Sequence, residues 1–396
     1  MGWVVNIKRY FDTLVFVGKK VMFKSKSGDI ALPVFFPDAT RAVLKALDSE
    51  DIKATKTPGV LVNTYHLYRD VGSRVIKKYG GVRSFMNWEG GVISDSGGFQ
   101  VMSLAKSGPN KGSITDKGVT FVAEQNRKIL LTPEKSIKFQ FDLDPDMVVV
   151  LDEFTEPTAT YEKAKETVER TLLWAKKSKD EYIRQCRTKG LDPTAPIESG
   201  LQDDIDKRRP YLLAVVQGGE FLDLREYCAK ELAKIGFDGF GYGGWPIKAD
   251  GSFNYDVAKV IADNTPRDYL LYGLGIGKPQ EIVGCVDLGY TIFDCVLPTR
   301  DARHGRLYVY NADSIDEINI RDEKFYSYYV PTKEKHFGDT SPVSSACDCL
   351  LCSKYSRGYL AHLFRSKEMT AMRLATIHNL RFYSLLMEKL QEEAKS

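Results

Sequence analysis

Apolar residues along this chain gather into short β-rich segments, each ended by a polar residue or a glycine. The segments cover residues 31–36, 60–62, 91–93, 147–151, 212–216, 239–242, 270–272 and 291–293. Several are apolar at nearly every position, the pattern of parallel strands covered on both faces. Helical periodicity lies between many of them, most clearly over 161–179, 222–235, 254–263 and the shorter 279–288. Strand and helix in alternation imply right-handed crossovers and a parallel sheet. Eight such strands predict an α/β fold of the (β/α)8 TIM-barrel type rather than an open sheet, spanning 1–396 as one domain. Residues 180–210 are polar and carry Pro193, Pro196 and Pro210, so they read as a surface insertion. Residues 15–17 and 21–23, around Gly18-Lys19-Lys20, predict an N-terminal hairpin before the barrel.

The ends of the strands change this from a fold into a site. Asn63, Asp95, Asp152, Gln217, the pair Gly243-Gly244 and Asp294 each stand at or just after a predicted strand. In a barrel those positions converge on one rim, where active sites are built. Polar residues also end strands simply because loops are polar. Six together, three of them carboxylates in apolar settings, favour a site.

Composition sets limits. With 43% hydrophobic and 28% charged residues the chain is an ordinary globular protein, not a disordered or coiled-coil one. A formal charge of +3 means that nucleic-acid binding must come from local basic patches. No run approaches the roughly eighteen apolar residues of a membrane span. The first residues lack the charged and apolar order of a secretory leader, and the few, mostly scattered cysteines suit a reducing cytoplasm, so a cytoplasmic protein is expected. Seven cysteines, an odd number, argue against a disulfide framework.

Three of those cysteines, Cys347, Cys349 and Cys352, are crowded together, and His378 follows on a stretch of helical spacing over 356–389. Three thiolates and one imidazole make a closed tetrahedral set, so one structural Zn2+ per chain is expected, in a C-terminal zinc-binding subdomain over 310–385. Lys354, Arg357, Arg365, Lys367, Arg373 and Arg381 make this region basic, against Glu368. With Arg300, Arg303 and Arg306 after the eighth strand, they suit a phosphodiester backbone beside the rim.

Asp95-Ser-Gly-Gly-Phe-Gln100, Phe293-Asp-Cys-Val-Leu-Pro-Thr-Arg300 and the cysteine cluster resemble the tRNA-guanine transglycosylases. Asn63-Thr-Tyr-His66, Leu151-Asp-Glu153, Gln217-Gly218 and Gly275-Ile-Gly-Lys-Pro279 match in the same order, from about Phe35 to Tyr383. The resemblance implies a zinc-containing barrel that replaces a guanine in tRNA by a free 7-deazaguanine base without cutting the strand. It implies Asp294 as nucleophile at the ribose and Asp95 as the acid and base. Ser96, Gly97 and Gly98 would let the ring approach the backbone, and Phe99 would stack on it. Asp152, Gln217 and Gly244 would read the guanine edge, with Leu274 closing the other side. Gly275, Lys278, Thr299, Arg300 and Arg303 would contact the tRNA. A homodimer is likewise implied.

The chain also departs from that pattern. Where bacterial members commonly read Gly-Gly-Leu-Ala-Val-Gly-Glu, this chain reads Gly243-Gly-Trp-Pro-Ile-Lys-Ala249, and Phe154 replaces a frequent Cys. The pocket for the 7-substituent is therefore rebuilt. Trp245 is expected to pack against a larger substituent or to stack on a cation; alternatively it packs on a neighbouring helix, with Asp250 in the place of the Glu. The step from Cys352 to His378 and the end at Ser396, soon after the zinc helix, favour the anticodon wobble guanine as target. Alternatives are the same exchange on DNA, a non-catalytic tRNA-binding partner subunit, and a barrel glycosidase. Retention of Asp95 and Asp294 argues against the second, and the zinc motif against the third.

Overall fold

A computed structural model describes residues 22–107, 112–122, 128–197 and 208–394. Its centre is one sheet of eight parallel strands: β1 (Val34–Pro37), β2 (Gly59–Val62), β3 (Gly91–Ser94), β4 (Met147–Val149), β5 (Tyr211–Val216), β6 (Gly239–Tyr242), β7 (Leu270–Gly273) and β8 (Ile292–Cys295). Neighbours in the sheet are neighbours in the chain, and β8 returns to β1 in the register Phe293–Phe35 and Asp294–Phe36. The seam between β1 and β2 is narrow. It consists of a parallel bridge between Asp38 and Leu61, with the Ala39 N–H donating to the Leu61 carbonyl at 2.7 Å. The expected (β/α)8 barrel is present.

Side chains alternate across the strands as a closed, filled barrel requires. Val34, Phe36, Leu61, Ile93, Met147, Val149, Leu213, Val215, Tyr272 and Ile292 form the lumen cluster. Phe35, Val148, Leu212, Ala214, Phe240 and Phe293 face the helices outside. The lower mouth is plugged by an antiparallel hairpin, Met22–Ser25 with Gly28–Ala31. Its Phe23 stacks on Tyr211 at 5.0 Å between centroids and meets Phe36 edge-on at 5.7 Å.

Several expectations change. β1 begins at Val34, not 31, because Ala31 pairs with Met22 in the hairpin. The hairpin itself turns at Lys26-Ser27; the expected arm at 15–17 and its turn at 18–20 lie outside the described residues. The expected insertion at 180–210 starts as helix: Tyr161–Thr188 is continuous, because Tyr182, Gln185 and Cys186 are buried. The helical stretch at 356–389 is two helices, Arg357–Arg365 and Met369–Glu393, separated where Lys367 adopts a left-handed φ of 57°. A three-stranded antiparallel sheet (Ser113–Thr115, Gly118–Val122, Lys128–Leu131) between β3 and β4 was not foreseen.

The Met369–Glu393 helix lies against β1. Tyr383 packs on Phe35 at 4.6 Å between centroids and donates to the Gly277 carbonyl at 2.6 Å, while Gln391 donates to the carbonyls of Ala31 and Pro33. The C-terminal region thus covers the outside of the β8–β1 edge.

The lumen leaves no spare volume at the seam. A methyl group on Gly59 would lie 2.2 Å from the Phe36 ring. Gly59→Ala is expected to destabilise the fold by about 1–3 kcal/mol in urea melts. Phe36→Leu in the same chain should recover part of that loss. Strict additivity of the two substitutions would refute the packing argument.

Candidate active site and metal centre

The carboxylates at the strand ends meet above the filled lumen. Asp95 follows β3 and accepts hydrogen bonds from Asn63 Nδ2 (2.5 Å), the Thr64 N–H (2.8 Å) and the Gly97 N–H (3.0 Å). Asn63 is held for this role because its Oδ1 caps the Thr64–Asp70 helix, accepting from the His66 N–H at 2.9 Å. Gly97 has φ 74°, and a side chain there would press on the Tyr65 backbone at 2.9 Å, so glycine alone suits this turn. Burial pushes the Asp95 carboxyl up to about 7 against the pull of these donors, and the Asp294 charge adds to the rise.

Asp294, inside β8, is 7% exposed. Its Oδ1 accepts from the Gly275 N–H at 3.0 Å. The Tyr272 hydroxyl lies near enough to favour its charge, although it forms no well-shaped hydrogen bond. Burial raises Asp294 to about 6. Gly275, expected to contact tRNA, therefore first serves the Asp294 carboxylate.

Across the rim Asp152 accepts from Gln217 Nε2 at 2.6 Å, and Gln217 Oε1 accepts from the Thr155 N–H at 3.2 Å. Burial pushes Asp152 up to about 6, opposed by that Gln217 bond. Its neighbour Glu153 turns away to pair with Arg170. Gly244 has φ 86°, and a Cβ there would meet Arg225 Nη2 at 3.3 Å and Gln217 Oε1 at 3.5 Å. Leu274 lies over Gly241. Ser96 is buried and accepts from the Gly98 N–H, and Gly98 abuts Leu151. Phe99 stands exposed above them, edge-on to Phe154 at 5.2 Å. Asp95, Asp152, Gln217, Gly244, Leu274 and Asp294 are thus brought to one mouth of the barrel.

The outer residues are arranged differently. Arg300 is exposed, and Arg303 donates to the Thr299 carbonyl at 2.8 Å. Thr299 is buried, its hydroxyl turned to the Val296 carbonyl, so it supports the Leu297–Arg303 helix instead of facing solvent. Lys278 pairs with Glu281 at 2.9 Å. The basic C-terminal stretch is largely neutralised: Arg381 is bound to Asp348 and Glu388, Arg373 to Asp51, and Arg357 to Asp339. Lys354, Arg365 and Lys367 remain as its exposed members.

Two residues escaped the sequence reading. Asp38 ends β1, and burial, then the charges of Asp294 and Asp95, raise its carboxyl well above the usual range. The strand-end rule applied to the first strand would have found it. Arg225 is fully buried; it donates to the Val216 and Gly219 carbonyls and lies over the Tyr242 ring at 5.3 Å, bracing the turn beneath Gly244. A lone arginine on a helix carries no such signal.

The metal set is assembled as expected. The ligand atoms of Cys347, Cys349, Cys352 and His378 all lie within 4.8 Å of one another. The three sulfurs stand 3.7, 3.6 and 3.2 Å from His378 Nδ1. Metal–sulfur bonds of about 2.3 Å and metal–nitrogen bonds of about 2.0–2.1 Å at a tetrahedral angle require roughly 3.6 Å. His378 Nε2 donates to the Tyr308 carbonyl at 2.7 Å, which leaves Nδ1 as the ligand atom. The next residue, Asn379, donates to the carbonyls of Pro298 and Arg306, tying the centre to the helix that follows Asp294. No described helix is long and apolar enough to cross a membrane.

A family model described as queuine tRNA-ribosyltransferase matches residues 19–396. Relatives of that name include one from Psychrobacter cryohalolentis, 36% identical over 92% of this chain and 86% of its own length. Others come from Aliivibrio fischeri, at 36%, and Shewanella putrefaciens, at 37%, each over 92% of this chain and 87% of the relative.

The tetrahedral set predicts that metal binding is part of folding. Cys349→Ser, or a strong chelator, should cost on the order of 3–5 kcal/mol of stability. One tightly held metal ion per chain is the expected metal analysis. A metal-free preparation that melts normally would refute this.

Proposed function

The chain belongs to the queuine tRNA-ribosyltransferase family, and from that premise we propose that it exchanges the wobble guanine of a tRNA anticodon for a free 7-deazaguanine through a covalent Asp294–ribose intermediate. The chain is an enzyme of the tRNA-guanine transglycosylase type. The observation that carries the finer reading is the pair of buried carboxyls, Asp294 and Asp95, raised to about 6 and about 7 on one rim.

Asp294 as carboxylate attacks C1′, and the C1′–N bond breaks with its electron pair going to the base. Asp95 in its acid form gives that nitrogen a proton, so guanine leaves neutral. In the return step Asp95 takes the proton of the incoming base, whose nitrogen attacks C1′ and releases Asp294. The Gly275 N–H stabilises Asp294 as it departs. Asp152 accepts from the ring N–H and the exocyclic amine of a guanine-like edge, and Gln217 and the Gly244 N–H supply donors to its carbonyl. Asp152 and Gln217, bound to each other at 2.6 Å, are pre-aligned for that edge. Zinc, by the chemistry of three thiolates and an imidazole, is the metal of the C-terminal centre, where it holds structure. The exposed Arg300, and Arg303 beside it, suit the phosphates of the anticodon arm. The family reading further carries a cytoplasmic homodimer.

For the incoming base, the rebuilt loop favours a bulky 7-substituent. Trp245 is 56% exposed rather than packed on a helix, and Asp250 is occupied by its own turn, accepting from Ser252 N–H and Oγ. A cationic aminomethyl group therefore loses the carboxylate it would need.

Mixing enzyme and RNA should trap a covalent adduct on denaturing gels, which Asp294→Asn abolishes. The rate requires Asp294 unprotonated and Asp95 protonated. kcat/KM should therefore rise through pH of about 6 and fall above about 7. A persistent adduct in Asp294→Asn, or a profile flat from pH 5 to 8, would sink the assignment. Separately, kcat/KM for queuine should exceed that for its aminomethyl precursor. The reverse order, kept in Trp245→Leu, would remove Trp245 from base selection.

A further inference from the structure

The catalytic rim carries one carboxylate more than base exchange requires. Asp38 stands one residue past the last register pair of the β1–β8 ladder, Pro37 with Cys295, and is bridged on its other side to Leu61 of β2. It is therefore on the wall of Asp294, away from Asp152, Gln217 and Gly244, which read the base from β4 to β6. The charges that act on it most are those of Asp294 and then Asp95. Beside it Tyr272 is wholly buried, its hydroxyl facing Asp294 first and then Asp38 and Asp95, without a well-shaped hydrogen bond to any of them. The wall thus offers an acceptor and a donor at the place where the sugar must lie.

Within a nucleic-acid strand both the 3′ and the 5′ oxygens of the target sugar are esterified, so the 2′-hydroxyl is the sugar's one hydrogen-bond donor. It sits on the carbon next to C1′, the atom that Asp294 attacks. A hydroxyl is donor and acceptor at once, so it satisfies Asp38 and Tyr272 together. A phosphate there would meet three carboxylates and be repelled. We propose that Asp38 is a specificity residue that accepts a hydrogen bond from the 2′-hydroxyl of the target nucleotide, with Tyr272 donating to the same oxygen, so that the site selects RNA over DNA at the exchanged position. This inference rests on the exchange reading above and identifies the sugar class that it takes.

The 2′-hydroxyl is what separates RNA from DNA at a single site. Removing it makes the glycosidic bond intrinsically easier to break through an oxocarbenium-like transition state, so a slower deoxy substrate reports a lost contact.

The test uses two stem-loop RNAs that differ only in the target guanosine, ribo or 2′-deoxy, with radiolabelled guanine as the incoming base. The wild-type enzyme should lose about tenfold to a hundredfold in kcat/KM on the 2′-deoxy target, the worth of the two hydrogen bonds that the hydroxyl makes. Asp38→Ala should lose a similar factor on the ribo target, and the ratio between the two sugars should fall to one or below. The wild-type comparison needs no variant, so it stands even if a substitution unsettles the β1–β2 seam. Equal wild-type rates on both sugars, or a folded Asp38→Ala that keeps the wild-type ratio, overturn the inference and leave base exchange intact. No guanine exchange by the wild-type enzyme on either RNA overturns the exchange reading, and this inference with it.

Discussion

Everything at the rim depends on the dry floor beneath it. Phe36, Leu61, Ile93, Val149, Val215, Tyr272 and Ile292 fill the lumen to the level of the strand ends, so the carboxylates standing there lose water on their lower side. Desolvation favours the protonated form of a carboxyl, and it is the largest influence on Asp38, Asp95, Asp152 and Asp294 alike. The local hydrogen bonds then separate them. Asp95 has three donors and Asp294 one from Gly275, whereas Asp38 is raised with no opposing donor. A set of acids with ordinary surface behaviour would all be ionised at neutral pH, and none could protonate a leaving base.

The metal centre acts on this rim from outside. One long helix, Met369–Glu393, presents His378 to the three cysteines, Asn379 to the segment following Asp294, and Tyr383 to Phe35 of β1 and to Gly277. The order His378, Asn379, Tyr383 distributes the ligand and both barrel contacts over less than two turns. Loss of the metal would loosen the β8–β1 edge, which carries Asp294 on one strand and Asp38 on the other.

The eight strands were legible because a parallel strand covered on both faces needs near-continuous apolar residues. The clustering of Asp95, Asp152, Gln217, Gly244 and Asp294 was legible because a barrel brings every strand end to one rim. Cys347, Cys349, Cys352 and His378 were legible from residue type, since three soft ligands so close in the chain have few other uses. Errors gathered where local pattern competes with distant partners. The Tyr161–Thr188 helix runs past its polar-looking end because Tyr182 and Cys186 find a core that the local sequence does not reveal. The basic C-terminal patch shrank because Asp51 and Asp348, remote from Arg373 and Arg381 in the chain, neutralise them.

By itself, then, the sequence determined the barrel, the gathering of polar residues and carboxylates at its rim, and the metal set, all of which follow from residue type and short-range periodicity. Tertiary structure alone decided which groups answer one another. Closure of β1 on β8 sets Asp38 beside Asp294, and packing buries Tyr272 without a well-shaped hydrogen bond. Burial of Arg225 beneath Gly244 is of the same kind. Proton affinity and hydrogen-bond satisfaction depend on distance through space and on exclusion of water, and neither is a property of position along the chain.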